Sequence, residues 1–381
     1  MYLLPKPKTI KEQDGQMLLC HSTHIVMTKE VAETEMHAAK RLQEAIRQET
    51  GLILPFSVGE VREGDLSLGI AKTLPEQTYE ITIDEKGGQI SGGDGAGVLY
   101  GVETFCQIVQ QCGGILPCVQ IQDAPDMPNR GYYFDQTRGR VLKLEELKKI
   151  ADRMCRYKLN QLQLYVEHTY LFRDFSEMWR DQTPLTAEEI LELDSYCRER
   201  HIELVPSLAS FGHLCTLLST KTYGDLCEME DSWKEPFSFW NRMRYHTINV
   251  SDERSLPLIK KMIAEYMQLF SSNKFNICAD ETFCLGKYKS KKLAEERGVH
   301  RLYIDYVKEL AQFLVENGKI PMFWGDIIWN SPELMKELPE SMICLNWGYA
   351  PEQREDETRA IAQTGAVQYL SLIHISEPTR P

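Results

Sequence analysis

The chain has 381 residues, 43% of them apolar and 26% charged, with a net charge of −13. The length suits two domains, or one large barrel with an accessory domain. The acidic balance excludes nucleic acid or an anionic membrane as the main partner and leaves a neutral sugar open.

Residues 1–8 hold no apolar signal core, and no apolar run is long enough to span a bilayer. Eleven cysteines lie scattered from Cys20 to Cys344. No spacing among them resembles a zinc site or a disulfide framework, so reduced thiols, a cytoplasmic location and no metal or other cofactor are expected. Residues 28–50 place Val31, Met36, Ala39, Leu42 and Ile46 at helical spacing and stop at Gly51, a C-terminal signal. Residues 77–83 alternate as a half-buried strand does, and 89–91 read as a second strand joined to it by a turn over 84–88. The stretch Gly92-Gly93-Asp94-Gly95-Ala96-Gly97 then leads into a helix over 98–111. Such a turn invites a phosphate site. No Gly-Lys-Ser/Thr follows, however, and the glycine spacing is wrong for a dinucleotide loop, so a plain tight turn is expected.

Residues 124–129 (Ala-Pro-Asp-Met-Pro-Asn) mark a boundary between an N-terminal α/β domain over 1–125 and a second domain over 126–369. In the second, strands predicted over 131–135, 161–166, 202–208, 275–279, 320–324 and 342–347 alternate with helices over 143–157, 187–200, 255–271, 301–317 and 352–364. That is the alternation of a parallel α/β barrel, whose strand C-termini share one rim. Polar and aromatic residues gather at those ends: Asp135, Glu167, His168, His213, Asp280, Glu281, Trp324, Asp326 and Trp347. Asp280 and Glu281 stand side by side. Two carboxylates held close cannot both ionise freely, so one is pushed towards a raised pKa and acid duty.

Several longer stretches carry a family likeness. They are residues 79–110, with Gly101 before Val102-Glu103-Thr104-Phe105; the run Asn129-Arg130-Gly131-Tyr132-Tyr133-Phe134-Asp135-Gln136-Thr137-Arg138; Phe275 to Glu281; Phe323-Trp324-Gly325-Asp326; and Asn346-Trp347-Gly348-Tyr349. Together they resemble glycoside hydrolase family 20, the β-N-acetylhexosaminidases. The resemblance implies an N-terminal α/β accessory domain followed by a (β/α)8 TIM barrel. It also implies exo-acting removal of terminal β-linked GlcNAc or GalNAc from an oligosaccharide or glycoconjugate. Glu281 would be the general acid. The substrate's own 2-acetamido oxygen would attack the anomeric carbon in place of a protein nucleophile, with a large gain from proximity. Asp280 would orient the acetamido group and hold the charge that develops at its nitrogen. Glu281 would then take a proton from water, and configuration would be retained. In the same resemblance Arg130 binds sugar hydroxyls, Trp324 and Trp347 wall the acetamido pocket, and Glu167, His168, His213 and Asp326 complete the substrate-binding set.

The chain departs from the family pattern at Asn276, where a histidine is usual, and at Cys278 and Ala279, where two glycines are usual. The usual Arg-His pair reads Arg138-Gly139, and the usual aspartates read Glu167-His168. These departures motivate a rival reading, a catalytically impaired relative that binds sugar. A metal-dependent hydrolase using His168, His213 and Asp280 has no ligand spacing to support it. Residues 370–381 read as a translated sequencing adapter, a non-native tail. With six strand–helix units visible and a seventh strand beginning at 366–369, the barrel is expected to be incomplete and the chain by itself inactive.

Overall fold

The computed structural model describes residues 1–348 and 355–372, which form two seven-stranded sheets. The first sheet contains β1 (Thr9–Leu18), β2 (Ile25–Met27), β3 (Phe56–Val58), β4 (Leu66–Ile70), β5 (Tyr79–Asp84), β6 (Gly87–Gly92) and β7 (Ile115–Asp123) in the order β1-β7-β5-β6-β4-β2-β3. Tyr79, Ile81 and Ile83 alternate inward along β5, as the period-2 pattern requires. Two helices belong with this sheet, α1 (Met36–Thr50) and α2 (Gly95–Cys112). The helix predicted over 28–50 breaks at Glu35 into a short turn, Lys29–Thr34, and α1.

The glycine-rich stretch closes β6 onto α2. Asp94 caps the helix by accepting the Gly97 N–H at 2.8 Å. A Cβ at Gly93 would overlap the Pro75 carbonyl oxygen, and one at Gly97 the Thr78 carbonyl oxygen. Glycine is required there because the protein's own backbone fills the space.

The second sheet follows chain order: β8 (Gly131–Asp135), β9 (Gln161–Val166), β10 (Glu203–Leu208), β11 (Lys274–Asn276), β12 (Ile320–Trp324), β13 (Ile343–Gly348) and β14 (Val367–Leu372). The pairs from β10 to β14 are parallel. Between the strands lie α3 (Leu144–Arg156), α4 (Ala187–Arg198), the short α5 (Phe239–Arg244), α6 (Ser255–Tyr266), α7 (Val299–Glu316) and α8 (Glu355–Ala362). This is an incomplete (β/α)8 barrel with seven strands among the described residues, one more than six strand–helix units supply. β14 takes in Leu370 to Leu372, the first residues of the stretch read above as a tail. The rest of that stretch and the Tyr349 of the last motif lie outside the described residues.

Two compact units divide the chain. The first takes in Met1–Tyr132, Glu145–Leu162 and Ser195–Glu203; the second takes in Tyr133–Leu144, Gln163–Asp194 and the chain from Leu204 onward. Among the described residues no helix is long and apolar enough to cross a membrane, and the cysteines are free thiols.

Candidate active site

β11 ends at Asn276, short of the strand predicted over 275–279, and the cause is local. Asn276 turns its Oδ1 back to the Cys278 N–H at 2.8 Å. Cys278 (φ 57°), Ala279 (φ 62°) and Glu281 (φ 48°) then all take left-handed backbone. That conformation ends the regular strand, although the Ile277 N–H still donates to the Met322 carbonyl and the Cys278 carbonyl still accepts the Trp324 N–H, both at 2.8 Å; it costs about 1–2 kcal/mol per side-chain-bearing residue. The corner is held from several sides. The Ser210 hydroxyl donates to the Ile277 carbonyl at 2.5 Å and the Tyr303 hydroxyl to the Ala279 carbonyl at 3.0 Å. The Glu281 N–H donates to Asp326 Oδ2 at 3.0 Å. Gly212 passes so near that a Cβ on it would stand 2.6 Å from the Asp280 carbonyl oxygen.

His213, itself left-handed at φ 60°, joins the two carboxylates. Its Nε2 lies 3.2 Å from Asp280 Oδ2 and 3.4 Å from Glu281 Oε2. Its Nδ1 is buried without a hydrogen-bond partner among the described residues. Burial pulls the imidazole down, but the charge and hydrogen bond of Asp280 outweigh it and hold His213 above its usual value. For Asp280, burial pushes the carboxyl up; His213 and then the Arg138 guanidinium outweigh that and hold it below the usual range. Burial pushes Glu281 up, His213 opposes, the Asp280 charge adds to the push, and the net result is a raised carboxyl. Adjacent carboxylates are thus driven in opposite directions, one towards ionisation and one towards holding a proton. Asp326 is pushed up to about 8, by burial first and the Asp280 charge second. One of its oxygens is buried with no partner among the described residues.

The other predicted site residues fall in several places. Glu167 is buried at the end of β9 and accepts from the Tyr165 hydroxyl and from Arg242 Nη2, both at 2.9 Å. His168 is buried, with Nδ1 3.2 Å from Thr216 Oγ1, and burial lowers its pKa. Trp324 is buried and meets Tyr133 edge-on at 5.0 Å between ring centroids, while Trp347 is half-buried near the end of β13.

Arg130 is a correction. It precedes β8, at the strand end opposite the rim, and its donors go to the Lys158 carbonyl (2.9 Å), the Met127 carbonyl (2.6 Å) and the Tyr100 hydroxyl (3.1 Å). The arginine brought to the carboxylates is Arg138, which follows β8. It donates from Nε to Asp135 Oδ2 at 2.7 Å and lies over the Tyr165 ring at 4.7 Å. Both arginines stand in the same ten-residue motif, and strand direction alone separates them. Arg242 was not anticipated; it sits on the short helix α5, in a stretch with no periodic signal in the sequence.

His213, Asp280 and Glu281 also form the group among the described residues whose donor atoms lie close enough, within 4.8 Å of one another, to hold a metal ion. His168 is not in that group, and the shared His213 accounts for the closeness of the carboxylates by charge and hydrogen bonding.

Residues 1–124 match the family described as "Glycosyl hydrolase family 20, domain 2", and residues 128–380 match "Glycosyl hydrolase family 20, catalytic domain". The chain belongs to glycosyl hydrolase family 20. A beta-hexosaminidase of Porphyromonas gingivalis is 24% identical over 363 residues, which are 86% of this chain and 45% of that protein. One of Vibrio furnissii is 26% identical over 310 residues, 73% of this chain and 48% of that protein. The chain therefore spans about half the length of these curated relatives. Among solved structures, the family 20 β-N-acetylhexosaminidase of Streptomyces coelicolor superposes with a TM-score of 0.80 at 19% identity, over 97% of this chain and 75% of that one. Family 20 membership gives the departures at the corner a physical reading. Glycine suits positions 278 and 279 because both are left-handed. This chain keeps the torsions while carrying side chains. Asn276, where the family's histidine is usual, is buried and donates to Gln163 Oε1 at 3.1 Å.

Proposed function

We propose exo-β-N-acetylhexosaminidase activity for the whole protein that carries this family 20 chain, releasing terminal β-linked N-acetylhexosamine by substrate-assisted hydrolysis with retention. The observation that carries the reading is the splitting of Asp280 and Glu281 about His213, with Asp280 held ionised and Glu281 inclined to hold its proton. Glu281 protonates the departing glycosidic oxygen. Asp280 receives the acetamido N–H and stabilises the positive charge as the acetamido oxygen closes on the anomeric carbon. Glu281, now ionised, removes a proton from the water that opens the ring. The named relatives support the substrate class: a solved neighbour from Vibrio harveyi is an exo beta-N-acetylglucosaminidase, and one from Streptomyces plicatus holds GlcNAc as product.

The test is Glu281→Gln assayed on two β-N-acetylglucosaminides. Turnover of an alkyl glycoside, whose leaving group needs the proton, falls about 10²–10⁴-fold. Turnover of a nitrophenyl glycoside falls far less. Equal losses on both substrates would remove Glu281 from the acid role.

A further inference from the structure

Glu167 offers one carboxylate oxygen to each of two arginines. Its Oε2 accepts from Arg242 Nη2 at 2.9 Å. Its Oε1 accepts from the Tyr165 hydroxyl at 2.9 Å and lies 3.7 Å from Arg138 Nε. The Glu167 side chain is only 2% exposed, so these neighbours rather than water must meet its charge. Arg138 has a nearer partner: its Nε donates to Asp135 Oδ2 at 2.7 Å, and its charge reaches Asp280. In the observed geometry Arg242 holds Glu167, and Arg138 is left to the aspartates. Aspartate is usual at this position in family 20, and here the longer glutamate meets α5. The helix addresses both members of the Glu167–Arg138 pair from consecutive residues, since the Met243 sulfur accepts from Arg138 Nη1 at 3.3 Å. Stability alone does not account for Arg242. A buried ion pair is often no better than apolar packing. The Arg242 Nε is also buried without a hydrogen-bond partner among the described residues, which costs about 1–3 kcal/mol.

We propose that Arg242 is a positioning residue for the reaction: by taking Glu167 Oε2 it keeps that carboxylate from drawing Arg138 away, and so leaves the Arg138 charge to Asp280. Arg242 acts through Glu167 and Arg138, not on the substrate. The inference rests on the hexosaminidase reading and adds to it a residue of α5 that helps keep the acetamido-orienting aspartate ionised. Asp280 is faced by His213 from the loop after β10, Arg138 from that after β8 and Asp326 from that after β12, with Glu281 beside it. The Cys278 thiol and the Tyr133, Tyr165 and Tyr303 hydroxyls, raised by burial, stay neutral. Among the described residues Arg138 is the charged group of this set that lies in ion-pair range of Glu167, and it is the one through which Arg242 acts.

The experiment is calorimetric binding of a thiazoline analogue of the cyclised intermediate to the whole protein, followed against pH. Binding is lost on the acidic side as Asp280 takes a proton. In Arg242→Gln the freed Glu167 draws on Arg138, Asp280 needs a higher pH to ionise, and the acidic limb moves up by about one unit. Arg242→Lys keeps the charge and leaves the limb within about 0.3 unit of its place. Adding Glu167→Gln to Arg242→Gln removes the competitor and brings the limb back to within about 0.3 unit. That double variant holds no unpaired buried charge and is the control for folding. Glu167→Gln alone leaves Arg138 wholly to the aspartates and moves the limb down, a reading that does not depend on the Arg242 single variant folding. A limb that either single Gln variant leaves in place overturns the proposal. So does a loss of affinity uniform across pH, the mark of a loosened loop, and so does a double variant shifted as far as Arg242→Gln. If the thiazoline fails to bind the unaltered protein at any pH, the hexosaminidase reading itself has failed, and the role of Arg242 goes with it.

Discussion

Two turns in this chain leave a strand, one into a helix and one into a loop, and they solve the same steric problem in opposite ways. At Gly92 to Gly97 the backbone runs against the carbonyls of Pro75 and Thr78, and glycine removes the conflict. At 278–281 the backbone is left-handed at three of four residues, yet the chain carries cysteine, alanine and glutamate there. The first turn is unstrained and holds no chemistry; the second is strained and bears both carboxylates. Glycine density thus marks where backbone must pass close to backbone. The side-chain-bearing left-handed residue marks where a functional group is aimed at some energetic cost.

The largest effect that would break this contrast lies at the strained turn. Asp280→Ala is expected to weaken binding of a thiazoline analogue of the cyclised intermediate about 10³-fold, or about 4 kcal/mol. Unchanged affinity would leave the strained corner without its chemical purpose. At the other turn, Gly93→Ala should destabilise the protein by about 3 kcal/mol, because the added methyl meets fixed backbone. Urea unfolding reads this directly, and a loss under 0.5 kcal/mol would show the turn to be adjustable.

Asp326 gives a pH-dependent effect. Its folded value is raised to about 8, so between the ordinary carboxylate range and that value the folded state holds a proton the unfolded state has released. Its stabilising contribution is complete below about pH 4 and is lost as pH rises through the folded value. Asp326→Asn should therefore shrink the fall in stability between pH 5 and pH 8 by an amount on the order of 2 kcal/mol. Parallel pH profiles for the two proteins would remove the burial argument. The smallest effect belongs to Ala279→Gly. Relief of a left-handed alanine, less the extra freedom of glycine in the unfolded chain, nets about 0.5–1 kcal/mol of added stability. A loss on this substitution would mean that the corner is not strained at Ala279.

Much of the fold was legible because it rests on period and punctuation. The parallel strands of the second sheet read as short apolar runs separated by helical spacing, and the carboxylate pair at the end of one of them read as a site. The errors share one origin, geometry that period and punctuation do not encode. Strand propensity continues through Ile277, Cys278 and Ala279, and only the Asn276 side chain and the hydroxyls of Ser210 and Tyr303 show where the strand stops. Arg130 and Arg138 flank one strand, and a motif match does not say which end faces the rim. Arg242 reaches Glu167 across 75 positions of sequence from a helix of only six residues, too short to show a period, and no local pattern announces such a pair.

The cysteine at the corner has one more consequence. The Cys278 thiol is buried beneath the carboxylates, 3.3 Å from Ser207 Oγ and 3.9 Å from the Tyr133 hydroxyl, and burial raises its pKa. It is closed to alkylating reagents until the floor of the site opens. Its labelling rate is therefore a clock for that opening, ticking without any engineered probe. A ligand that stiffens the corner slows the clock, and the slowing reports occupancy even where no bond is cleaved.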